Sequence, residues 1–443
     1  MSFSQVNITK AAHLNKNFRL NKKPNFGNEP MHISRLPITG IATTFAADRY
    51  ITESAAAGTA LATGKKTSCG TIAMAPDHTQ NYKTIAEMAR DKGMKVGIVS
   101  SVSIDHATPA CFYAHHSDRG KYTDISLQMA ATDFDFFGGG FAKGHDSSSE
   151  SKNIIKKMKE HGYKVVTSKA ELQKTSPGEK CWAYNTNLAD GAALQYEIDQ
   201  SEDYFRLADF TAEGIRLLHN EKGFFIMIES GKIDWACHAN DAVTASYEVI
   251  ALDEAVGEAL KFYNQHPDET LIIVTGDHET GGLTLGYAAT KYESIFDILN
   301  FQKISFENFS LKVNQWKESP YISQPAVMDS IQYYFGLNDV SKSEKLVLNN
   351  FEMKKIADAY QATFNPDTEK DAHETYILYG GYDPLTVTIT HILNQKAGVD
   401  WASYSHTGLP VPIYAIGAGQ ENFVGQLDNT DIPNKIIQIA KLN

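Results

Sequence analysis

An α/β layered fold built on a mostly parallel sheet is what this 443-residue sequence predicts. Two observations carry that expectation. Short apolar runs at 95–101 (KVGIVSS), 224–228 (FFIMI), 271–275 (LIIVT) and 413–416 (IYAI) have the length and β-branched content of strands buried on both faces. Between them lie amphipathic stretches of helical period, among them 82–92 and 247–264. In such folds ligands collect just beyond the carboxyl ends of the strands, so the polar residues after each run are the place to look for chemistry.

Residues 287–404 break this rhythm. They are richer in Asn, Lys, Phe and Tyr, with helical patterns and few buried-strand runs, and they read as an insertion over a core formed by 1–286 and 405–443. The segment 146–151 (DSSSES) reads as an exposed loop, and no repeat is present.

The chain carries a formal net charge of -12 with scattered Lys and Arg, a field that repels polyanions. Nucleic-acid polymers are therefore not expected as partners. A phosphate-bearing ligand would need local positive charge, from metal ions or a placed arginine. The 4 cysteines contain no C-x-x-C pair, and no run of about 18 apolar residues or signal peptide is visible.

Three segments at strand ends offer oxygen and imidazole donors. After 224–228 comes Glu229-Ser-Gly-Lys-Ile-Asp234-Trp-Ala-Cys-His238, with Asp234 and His238 at i and i+4, on one face of a helix. After 271–275 comes Gly276-Asp277-His278-Glu279-Thr280-Gly281-Gly282, and Ser405-His406-Thr407-Gly408 precedes the strand near 413. Each alone is also what a capped helix start or turn looks like. Together, carboxylates and imidazoles without cysteine suit catalytic zinc, with Mg²⁺ at an all-oxygen neighbour. Two zinc ions would polarise a phosphoryl group and activate a hydroxyl, which points to ester hydrolysis.

The nucleophile candidate is Ser54, placed before an Ala/Gly-rich run (Ala55 to Gly64) that reads as a close-packed helix start. Free N–H groups there would favour both an incoming phosphate and an ionised serine.

The run I-T-E-S-A-A-A-G-T at 51–59 resembles the alkaline phosphatase signature, and the resemblance extends over nearly the whole chain. It implies a three-layer fold with helices on both faces of the sheet. It also implies a phosphoserine on Ser54, zinc ligands Asp234, His238 and His406, and a second zinc on Asp277 and His278 that also contacts the serine. Glu229 and Thr108 match the magnesium site, and Arg119, eleven residues after Thr108, matches the arginine that clamps phosphate. Glu53 stands where the signature usually has Asp. His106, a further candidate ligand by this resemblance, and Trp235 stand near the third metal where some bacterial members carry Asp and Lys, so that site is expected to take magnesium, cobalt or a third zinc. Small phosphate monoesters and inorganic phosphate are the implied ligands, with a homodimer exported to the periplasm or beyond. A phosphodiesterase, or a poorly active metal-binding protein, is the alternative; a sulfatase would show a C-x-P-x-R-like nucleophile, which Ser54-Ala55-Ala56 lacks. By the same resemblance Met1 matches the Met of a G-D-G-M-like turn, so the first strand and its metal-bridging Asp are expected upstream of residue 1, with no substitute in 2–28.

Overall fold

The computed structural model describes residue 6 and residues 31–318, 323–365 and 371–443. The stretch 2–28, searched above for a substitute carboxylate, lies outside the described residues except for Val6. The strands in chain order are β1 (Ile38–Thr43), β2 (Lys95–Ser100), β3 (Phe136–Gly139), β4 (Lys164–Val166), β5 (Cys181–Tyr184), β6 (Phe224–Glu229), β7 (Leu271–Thr275), β8 (Glu279–Thr280), β9 (Thr284–Leu285), β10 (Val399–Asp400), β11 (His406–Thr407), β12 (Val411–Gly417) and β13 (Gly425–Asp428).

Five strands, β4-β5-β3-β2-β6, form an all-parallel sheet. A second sheet, β13-β1-β12-β7, is mixed, with β12 antiparallel to both neighbours. All four apolar runs read from the sequence are strands here. Val96, Ile98 and Val99 of β2 are fully buried, as the two-sided burial of a parallel sheet requires. Each sheet ends on one strand of the pair β6 and β7, which have a single ladder partner apiece among the described residues and are mostly half-buried. Their carboxyl ends nonetheless come together, since the Thr108 hydroxyl hydrogen-bonds the carboxyl groups of both Glu229 and Asp277.

Helices cover the sheets through side chains small enough to allow contact. Residues Ser54–Thr63 form a helix in which all but Leu61 are buried, and Gly58 lies where a Cβ would come 3.1 Å from Cys111 Sγ. That close approach explains the Ala/Gly run. The helix stops at Gly64, whose φ of 72° is left-handed. Residues Ile85–Asp91 begin with a capping box between Thr84 and Glu87. The helix expected over 247–264 runs Ala242–Tyr263, starting five residues earlier because Asp241, whose carboxylate accepts from Thr244 N at 3.0 Å, provides the cap.

Within 287–404 the described elements are helices, chiefly Phe306–Lys317, Gln324–Phe335, Asn350–Phe364, Ala372–Tyr379 and Pro384–Ala397, with β10 as the sole strand among the described residues. They share a core containing Phe309, Ile331, Phe335 and Ile389 that also takes in Val243 and Tyr247 from the Ala242–Tyr263 helix. The 146–151 loop is largely exposed, ending in a short helical turn at Glu150–Lys152. No helix among the described residues is long and apolar enough to cross a membrane.

Gly139 closes β3 with φ 112°, and a Cβ there would run into the Ser100 carbonyl of β2. Gly139→Ala should therefore destabilise the protein by at least about 1–3 kcal/mol. A denaturant midpoint unchanged from the parent would contradict this tight β2–β3 junction.

Candidate active site

Ser54 is the first residue of its helix and not the cap; Glu53 takes that position in extended backbone. The Glu53 carboxylate accepts from Ala55 N at 2.9 Å, Ala56 N at 2.8 Å and Gly70 N at 2.8 Å, and pairs with the Arg119 guanidinium. Burial works against its charge, yet Arg119 and those three amides hold its pKa below the ordinary value. This corrects the expectation of free amides for a phosphate at this helix start. A cap carboxylate at the positive end of the helix has claimed two of them. Positive charge for an anion comes instead from Arg119, whose other nitrogen, Nη2, lies 3.2 Å from His106 Nε2.

Four chain segments bring the metal-ligand candidates together. Asp234 and His238 sit one turn apart on the helix Lys232–His238, with Asp234 Oδ1 3.5 Å from His238 Nε2. Strands β8 and β11 pair, His406 opposite Thr280, which carries His406 to the same place from the far end of the chain. His406 Nε2 lies 3.1 Å from His238 Nε2 and 3.5 Å from Asp234 Oδ1. Asp234, His278 and His406 each bring one ligand atom within 4.8 Å of the others.

The backbone fixes how these imidazoles are protonated. His238 Nδ1–H donates to the Tyr404 carbonyl at 2.6 Å, and His406 Nδ1–H donates to the Thr52 carbonyl at 2.9 Å, since a carbonyl can only accept. Each Nε2 of the neutral rings is then a bare lone pair, and the two face each other beside a carboxylate. Two imidazole nitrogens and a carboxylate oxygen converging in this way form a donor set of the kind that holds a zinc-type cation. Burial disfavours charged His406, but its hydrogen bond to Asp234 and that carboxylate's charge raise its pKa to about 9. Asp234 is held well below its usual range despite burial, by the imidazoles of His238, His406 and His278 around it.

The second group sits against the first, the His278 and His406 rings stacking 3.7 Å apart. Thr280 donates its hydroxyl hydrogen to Asp234 Oδ1 and so accepts from His278 Nδ1–H, at 3.3 Å. His278 Nε2 is therefore the acceptor facing Ser54 Oγ at 3.3 Å, and it lies 3.3 Å from Asp277 Oδ2. Burial lowers the His278 pKa to about 4, so the ring is neutral. Again a lone pair and a carboxylate converge with no positive charge between them.

An oxygen cluster adjoins. Thr108 Oγ1 reaches Asp277 Oδ2 at 3.5 Å and also bonds Glu229, while Ser100 Oγ donates to Glu229 Oε2. Burial, reinforced by the charge of Asp277, raises Glu229 to about 8. His106 stands apart from the oxygen cluster in its contacts. Its ring meets Arg119 and, edge-on, Trp235 at 5.9 Å, and its Nδ1 is buried without a partner among the described residues. Burial and the neighbouring Arg119 lower its pKa to about 3.

The donor sets fit the metals that the sequence implies: two nitrogen–oxygen groups suited to zinc, and an oxygen group suited to magnesium. Sequence reasoning missed Thr280, Ser100 and the carbonyls of Thr52 and Tyr404. Thr280 alone left a signal, since it lies two residues beyond His278 and close alternation puts both on one face.

The comparisons with known proteins give the family. The family model described as alkaline phosphatase matches residues 1–137 and 141–442. Alkaline phosphatase 4 of Bacillus subtilis (strain 168) is 33% identical over 402 residues, covering 89% of this chain and 77% of the relative. The crystal structure of a cold-active alkaline phosphatase from a Shewanella species superposes with a TM-score of 0.79 at 26% identity, covering 99% of this chain and 97% of that one. A mutant alkaline phosphatase of the Antarctic bacterium TAB5, solved with Mg bound in its M3 site, shares the fold with a TM-score of 0.65 at 23% identity, over 100% of this chain and 95% of that one. With a family model matched along nearly its full length and a close-packed serine facing imidazoles and carboxylates at the strand ends, this chain belongs to the alkaline phosphatase family.

Proposed function

We propose that this phosphomonoesterase works by double displacement through a phosphoserine on Ser54, with two zinc ions and one magnesium ion as its resident metals. The observation that carries the reading is the facing pair of imidazole lone pairs beside Asp234, with Ser54 Oγ hydrogen-bonded to the adjoining His278. Asp234, His238 and His406 would hold one zinc, and Asp277 and His278, with Ser54, the other. Glu229 and Thr108 would hold magnesium, and His106 lies near enough to Arg119 to orient it. Bound there, the metals supply Lewis acidity towards phosphoryl oxygens and lower the pKa of a nearby hydroxyl or water.

The chain's own residues do the rest. Ser54 Oγ attacks phosphorus in line and the ester oxygen departs, leaving phosphoserine. His278 accepts the hydroxyl hydrogen in the resting site, but a ring with a pKa of about 4 is too weak a base to hold the serine proton, so activation rests on the cation. Arg119, its Nη1 anchored by Glu53, steers phosphoryl oxygens with its remaining donors. Water then displaces Ser54 and releases inorganic phosphate. No pocket for a particular leaving group is built into this scheme, which favours a broad range of monoesters. The region 287–404 is read as a cap over the core, and export and homodimer formation are carried over from the resemblance alone.

Ser54→Ala should abolish covalent phosphate incorporation while leaving zinc stoichiometry intact, because the hydroxyl is the nucleophile and at most a minor ligand. Phosphate trapped on the Ser54→Ala protein would overturn the assignment. Arg119→Ala should weaken inhibition by inorganic phosphate about 10–100-fold, the worth of a charged hydrogen-bond donor. Inhibition constants equal to the parent's would remove Arg119 from the phosphate site.

A further inference from the structure

Lys232 opens the helix that carries Asp234 and His238, and its side chain is fully buried. A cation at the first residue of a helix opposes the dipole, and a buried ammonium is costly to desolvate, so its presence calls for specific compensation. The surroundings supply it. Lys232 Nζ donates to the Leu194 carbonyl at 2.9 Å, lies 3.4 Å above the Tyr196 ring, and approaches Glu307 Oε2 at 3.7 Å. Asp199 and Glu248 add their charges from two further directions.

Those partners belong to separate parts of the fold. Leu194, Tyr196 and Asp199 lie in the connection before β6, and Glu248 lies on the Ala242–Tyr263 helix, where its carboxylate accepts from Glu197 N at 2.7 Å. Glu307 lies in the first turn of Phe306–Lys317, within 287–404. That turn is itself seated on the same connection, Ser305 N donating to Asp199 Oδ1 at 3.0 Å and Phe306 packing edge-on against Tyr196 at 5.4 Å. One ammonium thus ties the ligand-bearing helix to three carboxylates that would otherwise repel one another.

We propose that Lys232 is a positioning residue for the zinc site of Asp234, His238 and His406, and that Glu307 makes this site depend on how the 287–404 region is seated. The proposal rests on the zinc reading above. Lys232 touches neither ligand's donor atoms. It sets where the helix begins, and Asp234 follows two residues later and His238 six. Partners at this remove from a metal commonly govern affinity about 10–100-fold.

The test is zinc affinity of the full-length metal-stripped protein, measured by competition with a chromophoric chelator, alongside its melting temperature. Lys232→Met and Glu307→Gln should each weaken the tighter zinc site about 10–100-fold, and Glu307→Asp, which keeps the charge, should retain more affinity than Glu307→Gln. A packing control within the 287–404 core, Ile331→Val, should lower the melting temperature and leave zinc affinity unchanged. Should Lys232→Met fail to fold, Glu307→Gln decides the matter, because that side chain is only partly buried. Lowered melting temperatures with parental zinc affinity in Glu307→Gln would reduce the network to ordinary packing and overturn the proposal. A parent chain that binds no zinc would overturn the metal reading and this inference with it.

Discussion

Two histidines held with their lone pairs face to face are the constraint from which the rest of the site follows. Neither His238 nor His406 can turn away, because each gives its Nδ1 hydrogen to a backbone carbonyl, Tyr404 O and Thr52 O respectively. Lone pairs 3.1 Å apart beside a carboxylate repel unless a cation lies among them. The fold meets that demand with contributions distant in sequence: the Lys232–His238 helix, the β8–β11 pairing, and the segment leading into Ser54. Thr52, whose carbonyl orients His406, is only two residues from Ser54, so the imidazole and the serine are registered against each other by the same short stretch of backbone.

The placement of charge is as deliberate as the placement of ligands. An excess of carboxylate in an acidic chain would repel phosphate, and two of the amides at the helix start of Ser54 are already taken and do not offset it. Glu53 takes the amides of Ala55, Ala56 and Gly70, and in doing so becomes a fixed anion on which Arg119 rests. The guanidinium is thereby held near Ser54 by an ion pair that a helix dipole supports. The raised pKa values of Glu229 and of His406 both follow from the local charges, Asp277 beside a buried Glu229 and Asp234 hydrogen-bonded to His406.

Much of this was legible in the sequence, for identifiable reasons. Strands carried in the middle of a layered fold read as continuous apolar runs whether parallel, as 95–101 and 224–228 are, or antiparallel, as 271–275 is, and the polar residues just past the last two converge on the site. The Asp234–His238 spacing is a local property of a helix and could be read directly. What escaped depended on tertiary partners. The early start of the Ala242–Tyr263 helix turns on a cap at Asp241 whose carboxylate also accepts from Gln302, in the 287–404 region. The fate of the amides after Ser54 turned on a side chain, Glu53, read only as standing where the signature usually has Asp. Thr280 joins Asp234 to His278 across two segments, and the role of Lys232 is visible only once Glu307, Glu248 and Asp199 surround it. Carbonyl acceptors such as Thr52 O carry no side-chain signature at all.

The most direct test of the facing-imidazole account is an X-ray structure of the zinc-soaked protein with anomalous data collected on both sides of the zinc absorption edge. The account predicts one zinc peak bonded to Asp234, His238 and His406 through the two Nε2 atoms, and a second bonded to Asp277 and His278 beside Ser54 Oγ. Anomalous density absent from the space between His238 and His406, with the two rings still facing each other, would contradict it.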